Sequence, residues 1–514
     1  MAAPRWEAKM QRSVLATTTL LVLSGCTLGP NFSAPASRAP DAWSATPSKQ
    51  AASVPVTAPI DPAWWNLFSD PELTKLEERV AAQNLDVQVA TVRLAESRAQ
   101  LGIVASSALP TLESDASYQR LKASNNGAFA GLSTIAAGAG ASGQTNATVG
   151  GVKGATIGAI DIYQAGFDAS WEIDLWGRVR RSVEAAGANV TQSEETRRDT
   201  LLSSLAEVAR DYLQLRGTQT RLQIARDNVK SAQQSLDVTR QRAEGGVTTD
   251  LDVANASAQV NSFAALIPSL EQQERQFVNA LSFLLGQPPQ ALSGELDAPR
   301  TVPPVPPRVP IGLPSELALR RPDVRAALAQ LHAATATIGV AEADFYPSFT
   351  LTGSVGLQAL QPWQMFDLAS LLYAVGPSVS IPIFEGGRLK STLALRKDQE
   401  KEAAISYEKT VLNAWHEVDN ALSAYDAEQR RRDQLVKAVA ENQRALSLAQ
   451  DRYAQGVSDF LEVLNAQREL LATQQLLADS TTTIDTDLVA IYKALGGGWE
   501  TGFPEQSTAT IAAK

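Results

Sequence analysis

The sequence predicts an α+β membrane protein built by internal duplication, with four strands per chain and two very long helices. Three observations carry this reading. The chain aligns with itself over most of its length. Two stretches of 66 residues lack proline, and the first repeats apolar residues at coiled-coil spacing. Two short segments alternate apolar and polar residues, as the wall of a membrane barrel does, and two more, near 111–120 and 375–383, alternate less cleanly.

The duplication is read by sliding the chain on itself. A shift of 210 residues superposes Tyr163 on Tyr373, Gly177-Arg178 on Gly387-Arg388, Arg242 on Arg452 and Gly246-Val247 on Gly456-Val457. Upstream the shift is 237, bringing Asp86-Val87 onto Asp323-Val324, Gly102 onto Gly339 and Pro110 onto Pro347. The two shifts differ by 27 residues, which reads as an enlarged Gly/Ala/Ser-rich loop over Asn125–Gly158.

Each copy has one order of elements. The first copy, 63–300, is expected to hold helices at 71–107, 178–243 and 250–286 and strands near 111–120 and 163–176. A Pro-rich linker, 301–314, leads to the second copy, 315–500. There the helices are expected at 315–343, 388–453 and 460–496, and the strands near 348–358 and 373–384. Pro110 and Pro347 stop the helix that precedes each strand pair.

The strand pattern is the most informative. Phe167, Ala169, Trp171, Ile173 and Leu175 alternate with Asp168, Ser170, Glu172 and Asp174. Phe349, Leu351, Gly353, Val355 and Leu357 alternate with Thr350, Thr352, Ser354 and Gly356. Period two fits a wall with lipid outside and water inside, and it also fits a half-buried soluble sheet. Four strands close no membrane barrel, whose smallest form has about eight, so a barrel here is shared by several chains.

A 66-residue helix is about 100 Å long at about 1.5 Å per residue. Leu201, Leu205, Val208, Tyr212 and Leu215 step 4-3-4-3, and Leu222, Val229 and Leu236 continue at seven. The helices after each turn reach only about half that length. Stacked end to end with the helix before the strand pair, they match the long one, and the set builds a tall hollow cylinder. A solvent-bridging stalk or a non-conducting adhesin uses the same helices without the alternating strands.

The ends of the chain have their own signals. Arg5, Lys9 and Arg12 precede an apolar run, Val14–Leu23, which is too short to span a bilayer. Leu23-Ser24-Gly25-Cys26 follows and resembles a bacterial lipobox. Residues 1–25 read as a lipoprotein signal peptide, starting at either Met1 or Met10, and Cys26 as the acylated residue. A buried free thiol after an ordinary signal is the alternative. Thr27 after Cys26 points to the outer membrane. Residues 26–62 read as a lipid-anchored Ala/Pro/Ser-rich tether and 501–514 as a flexible tail.

Composition closes several classes. The net charge is −10, which argues against nucleic-acid binding. The sole cysteine forms no internal disulfide, and His332 and His416 stand apart from it, so no metal site is expected. No nucleophile motif and no phosphate loop occurs, so no catalytic residue and no cofactor is assigned.

Five stretches carry a family resemblance: Ser170-Trp171-Glu172-Ile173-Asp174-Leu175-Trp176-Gly177, Arg320-Arg321-Pro322-Asp323-Val324-Arg325, Ala343-Asp344-Phe345-Tyr346-Pro347-Ser348, Phe384-Glu385-Gly386-Gly387-Arg388 and Tyr492-Lys493-Ala494-Leu495-Gly496-Gly497-Gly498-Trp499. They closely resemble the TolC-like outer-membrane efflux family, in its lipoprotein (NodT-type) branch, over about 60–500. The resemblance implies a homotrimer with a twelve-stranded β-barrel continuous with an α-helical barrel. It further implies docking on a periplasmic adaptor and an inner-membrane RND pump, which supplies the energy. Small molecules such as drugs, solvents or toxic ions would be the cargo. A type I protein secretion duct shares the fold.

The resemblance also assigns the tips. Gly246-Val247 and Gly456-Val457 would dock the adaptor, although the glycines are explained by helix termination alone. Tyr453 would hydrogen-bond to Asp252, and Leu461 and Asn465 would form constricting rings, with Glu462 as the remaining acid. The carboxylates of Asp252 and Glu462 also suit the first turn of a helix without any such role. Asn465 and Ser458 depart from the family's usual residues, which predicts an aperture that is less acidic and more weakly latched.

Overall fold

The computed structural model describes residues 27–36, 39–40, 42–43, 52–122 and 159–503. In chain order the elements are β1 (Val54–Val56), α1 (Pro71–Gln83), α2 (Leu85–Ser106), β2 (Thr111–Leu121), β3 (Ile160–Ile173), α3 (Arg178–Glu244), α4 (Asp250–Ala264), α5 (Leu266–Leu284) and α6 (Ser293–Leu296). The second half continues with β4 (Arg308–Pro310), α7 (Pro314–Arg320), α8 (Pro322–Ala343), β5 (Ser348–Ala359), β6 (Leu371–Ser380), α9 (Arg388–Ala454), α10 (Phe460–Leu495) and α11 (Trp499–Gly502). Cys26, the signal segment and the enlarged loop lie outside the described residues.

Three helices expected as single pieces are each two. The 71–107 helix breaks at Asn84, whose extended backbone ends α1 and whose side-chain oxygen accepts from Val87 N to begin α2. The 250–286 helix breaks at Ala265, three residues before Pro268, which has no N–H to offer the previous turn. The 315–343 helix breaks at Arg321, where Pro322 opens α8 at the position that tolerates it.

The chain forms two compact units. One comprises Gln100–Ala186 and Thr335–Asp398 with the stretch up to Asn31. Its centre is an antiparallel sheet of order β2-β3-β5-β6. The register puts Phe167 opposite Val355, Trp171 opposite Leu351 and Ile173 opposite Phe349. Val355 in turn faces Tyr373, and Gly353 faces Val375. Directly paired residues share a face, so these apolar side chains line one side. The other side collects Glu113, Asp168, Ser170, Glu172, Thr350, Thr352 and Ser354. The apolar side is uncovered in the single chain: Phe167 is 53%, Tyr373 76% and Val375 77% exposed. β2 and β6 each lack a second strand partner among the described residues.

The other unit comprises Phe32–Ala99, Gly187–Ala334 and the chain from Gln399 onward. Its main core joins Leu201, Leu205, Val208, Tyr212 and Leu215 of α3 to Val418, Leu422 and Tyr425 of α9 and to Ile484, Leu488 and Tyr492 of α10. The predicted 4-3-4-3 residues are thus all buried, as a coiled-coil seam requires.

Parts of three segments expected as tether, linker and tail are fastened into this unit. Within the expected tether, β1 pairs in parallel with β4 of the expected linker. Ser53 beside it is fully buried, its N–H donating to Gln429 Oε1 at 3.0 Å and its hydroxyl accepting from Tyr425 Oη at 2.7 Å. Three-residue strands are too short for alternation to show. At the other end, α11 runs into the expected tail. Trp499 is buried with the Arg198 guanidinium 4.7 Å and the Arg325 guanidinium 5.5 Å from its ring centre. Trp64 donates its indole N–H to Gly497 O at 3.0 Å and stacks on Tyr492.

Candidate functional site

The candidate site is the pair of helix ends joined by Gly245–Thr249 and Gln455–Asp459. Each long helix stops in the same way. Gly246 and Gly456 take φ of 73° and 72°, the left-handed conformation open to glycine without penalty. Val247 N then returns to Arg242 O at 2.8 Å, and Val457 N to Arg452 O at 2.9 Å, closing the terminal carbonyls of α3 and α9. The turn leaves Val247 and Val457 outward, each 65% exposed.

The next helices start from side-chain caps. Thr249 Oγ1 accepts from Asp252 N, and the Asp252 carboxylate accepts from Thr249 N at 3.3 Å and Thr248 Oγ1 at 2.5 Å. These bonds, the one from Thr248 foremost, hold the Asp252 carboxyl below the usual range. Asp459 caps α10 by accepting from Glu462 N at 3.3 Å.

Behind the turns lies a small apolar core of Leu236, Ala256, Leu446, Tyr453, Phe460, Val463 and Leu464. Tyr453 is buried in it, its ring 5.2 Å from that of Phe460. The expected hydrogen bond between Tyr453 and Asp252 is not formed. The Tyr453 hydroxyl reaches Thr239 Oγ1 at 3.5 Å, and Asp252 is engaged by its own capping threonines. The cause is local: a carboxylate at the third helical position is drawn back to its cap.

Leu461, Glu462 and Asn465 sit together on the outer side of the first turns of α10, all exposed. Asn465 follows Leu461 by four residues, which stacks the two on one face. Glu462 lies 3.6 Å from Arg452, an exposed pair of small energetic weight.

Arg242 has a place that the tip sequence did not disclose. Its Nη1 donates to Tyr453 O at 2.8 Å and Ala454 O at 3.0 Å, and its guanidinium carbon lies 4.6 Å over the Tyr453 ring. The first copy's long helix therefore caps the end of the second copy's. Arg452, its counterpart by repeat, turns to Glu462 instead, so the duplicated tips differ. The two arginines match by repeat in the sequence, and the fold gives them separate partners.

Among the described residues no helix is long and apolar enough to cross a membrane, and no cluster of potential metal ligands occurs. The two-faced sheet of the other unit is the apolar surface suited to lipid.

Comparison with known proteins agrees with the duplication. The family model for outer membrane efflux protein matches residues 76–287 and 313–497, one match for each copy. The chain is similar to the antibiotic efflux pump outer membrane protein ArpC of Pseudomonas putida, 31% identical over 98% of this chain and 100% of ArpC. It is also similar to the probable outer membrane lipoprotein SilC of Salmonella typhimurium, 30% identical over 95% of this chain and 98% of SilC. Among solved structures, the outer-membrane channel OprN superposes with a TM-score of 0.83 at 34% identity, over 92% of this chain and 100% of that one. The names of these relatives favour efflux over protein secretion. Two matched halves and relatives aligned from end to end place this chain in the outer membrane efflux protein family, whose members are channels of the bacterial outer membrane.

Proposed function

We propose that three copies of the chain form one passive duct for small molecules, the outer-membrane part of a tripartite efflux pump. The observation that carries this is the sheet. It has one largely apolar, uncovered face, one polar face and two edge strands without a second partner among the described residues. Open edges in hydrocarbon are too costly to persist, so β2 of one copy pairs with β6 of the next until the wall closes. Three copies of four strands give twelve, an even number within the range of such barrels. Polar residues then face a water-filled lumen, where Glu113, Asp168 and Glu172 stay solvated.

The long helices of the three copies line the periplasmic part of the passage. Leu461 and Asn465 project from α10 as rings near its end, with Glu462 as the acid beside them. Tyr453, Asp252 and Arg242 hold the helix ends behind those rings. The exposed valines at Gly246-Val247 and Gly456-Val457 dock a periplasmic adaptor, and an inner-membrane RND pump supplies the energy. Cys26 is acylated and anchors the chain in the outer membrane, consistent with the lipoprotein name of SilC. Relatives named for antibiotics and toluene point to small organic cargo.

The test is direct. The purified protein should run as a trimer in detergent and conduct ions in a planar bilayer. Deleting its gene should sensitise cells several-fold to apolar drugs or solvents. A monomer without conductance, or a deletion that blocks secretion of a protein instead, would sink the reading.

A further inference from the structure

The stretch that follows Cys26 is held in a slot within the sheet-bearing unit. Leu28 N donates to Trp176 O at 3.1 Å. Arg181, its side chain only 4% exposed, donates from Nε to Leu28 O at 3.0 Å and from Nη2 to Asn31 Oδ1 at 2.7 Å. The same guanidinium reaches Gly29 O at 3.3 Å, and its Nη1 pairs with Glu184 at 2.7 Å. Every donor on this buried cation is therefore aimed at residues 27–31 or at the carboxylate that orients it.

Three glycines give the slot its depth. A methyl group on Gly339 would stand 2.7 Å from Leu28 O and 2.9 Å from Arg181 Cγ. One on Gly177 would stand 2.8 Å from Thr27 Cγ2. Gly29 lies with φ at 85° directly against the Gly339 backbone. Gly339 sits inside helix α8, where glycine is a poor choice by propensity, so close passage of another chain segment accounts for it.

The duplication supplies an internal control. The residues of the other copy that match Gly177, Arg181 and Gly339 are Gly387, Ser391 and Gly102. A methyl group at Gly387 or Gly102 would meet nothing within 4 Å. The corner between strand and helix thus occurs twice, and among the described residues only the copy with the arginine is filled.

We infer that Arg181, Gly177 and Gly339 form a docking slot for the first residues of the mature chain, which seats the lipid anchor at the end of β3. This rests on the proposed acylation of Cys26. Thr27 lies against Gly177 itself, so the described chain is held up to its first residue. The corner lies four residues past β3, where the apolar face of the sheet ends. The acyl chains so placed enter the bilayer beside the wall that β3 and β5 build, and the anchor adds to the hold of the sheet.

Hydrogen exchange on the purified full-length lipoprotein tests this, together with labelled palmitate. In Gly339→Ala and in Arg181→Ala, the peptide spanning Thr27–Ala36 should exchange roughly tenfold faster or more than in the natural protein. Gly102→Ala should leave it unchanged. If the slot does not hold that segment, exchange stays the same in all three variants. Gly339→Ala then raises the melting temperature, as alanine in a helix ordinarily does. That result overturns the proposal. Should Gly339→Ala fail to assemble, Arg181→Ala against Arg181→Lys gives the same reading, because lysine lacks the fork that reaches Leu28 and Asn31 together. Palmitate separates the two ideas. A protected peptide without label leaves a slot and removes the anchor, whereas label with a freely exchanging peptide keeps the anchor and removes the slot.

Discussion

Arg242 caps the helix that carries Tyr453 and lies on that tyrosine's ring, joining the ends of the two repeats through one side chain. The guanidinium satisfies carbonyls that a helix end leaves open, and it does so between copies. Arg242→Ala removes charged hydrogen bonds and a cation–π contact worth about 2–3 kcal/mol together. The expected outcome is an intact trimer with higher single-channel conductance and greater sensitivity of cells to large antibiotics. Tyr453→Phe should be nearly silent, because the hydroxyl makes only a 3.5 Å bond to Thr239. Tyr453→Ala should behave like Arg242→Ala. Bilayer recordings of the three variants check this. A strong leak from Tyr453→Phe would show that the hydroxyl has another partner in the assembled duct.

The two faces of the sheet make opposite predictions at neighbouring positions. Leu351 points with Trp171 and Phe349 to the apolar side, and Thr352 to the polar side. Leu351→Arg should cost the barrel about 2–4 kcal/mol, the usual penalty for arginine at mid-membrane depth. Thr352→Arg should fold normally and lower the cation preference of the pore. Heat-modifiable mobility on gels reads the first effect, and reversal potentials read the second.

Within the same sheet Gly166 and Gly356 face each other across β3 and β5. A methyl group on Gly356 would stand 2.8 Å from Ala165 O, which is backbone and has no room to yield. Gly356→Ala should therefore impair strand pairing and lower the yield of heat-resistant trimer. Gly353→Ala, whose added methyl would lie 3.9 Å from Val375 Cγ2, should assemble like the natural protein. Trimer yield on cold gels compares the two.

Asp485 is fully buried in α10, and neither carboxylate oxygen has a hydrogen-bond partner among the described residues. Burial pushes its carboxyl well above the usual range, against the smaller pull of Arg432. The folded protein thus keeps a proton that the unfolded chain releases. The linked stability is present below the unfolded pKa of about 3.9 and is lost as pH rises towards the folded value. Asp485→Asn should raise the melting temperature at pH 7.5 and have little effect near pH 4. Calorimetry at both pH values checks the sign. An equal loss at both would mean that the carboxylate is ionised and paired in the assembled trimer.

Sequence alone settled the duplication, the strand pairs and the long helices, since each is a periodic signal repeated over many residues. The alternation at 349–357 became the sheet's two faces, and Leu201 to Leu215 became a buried seam, because period and burial follow from the same backbone geometry. It also marked the tip glycines, whose left-handed turns are local. Tertiary structure alone decided which tip groups meet. Tyr453 and Asp252 are some 200 positions apart in the chain. Whether they bond depends on competition from Thr239 and the capping threonines, which no spacing reveals. The same holds for β1 with β4, for Trp499 between two arginines, and for Arg181 on Leu28. Each joins residues distant in the chain through a single contact, and one contact leaves no period to read.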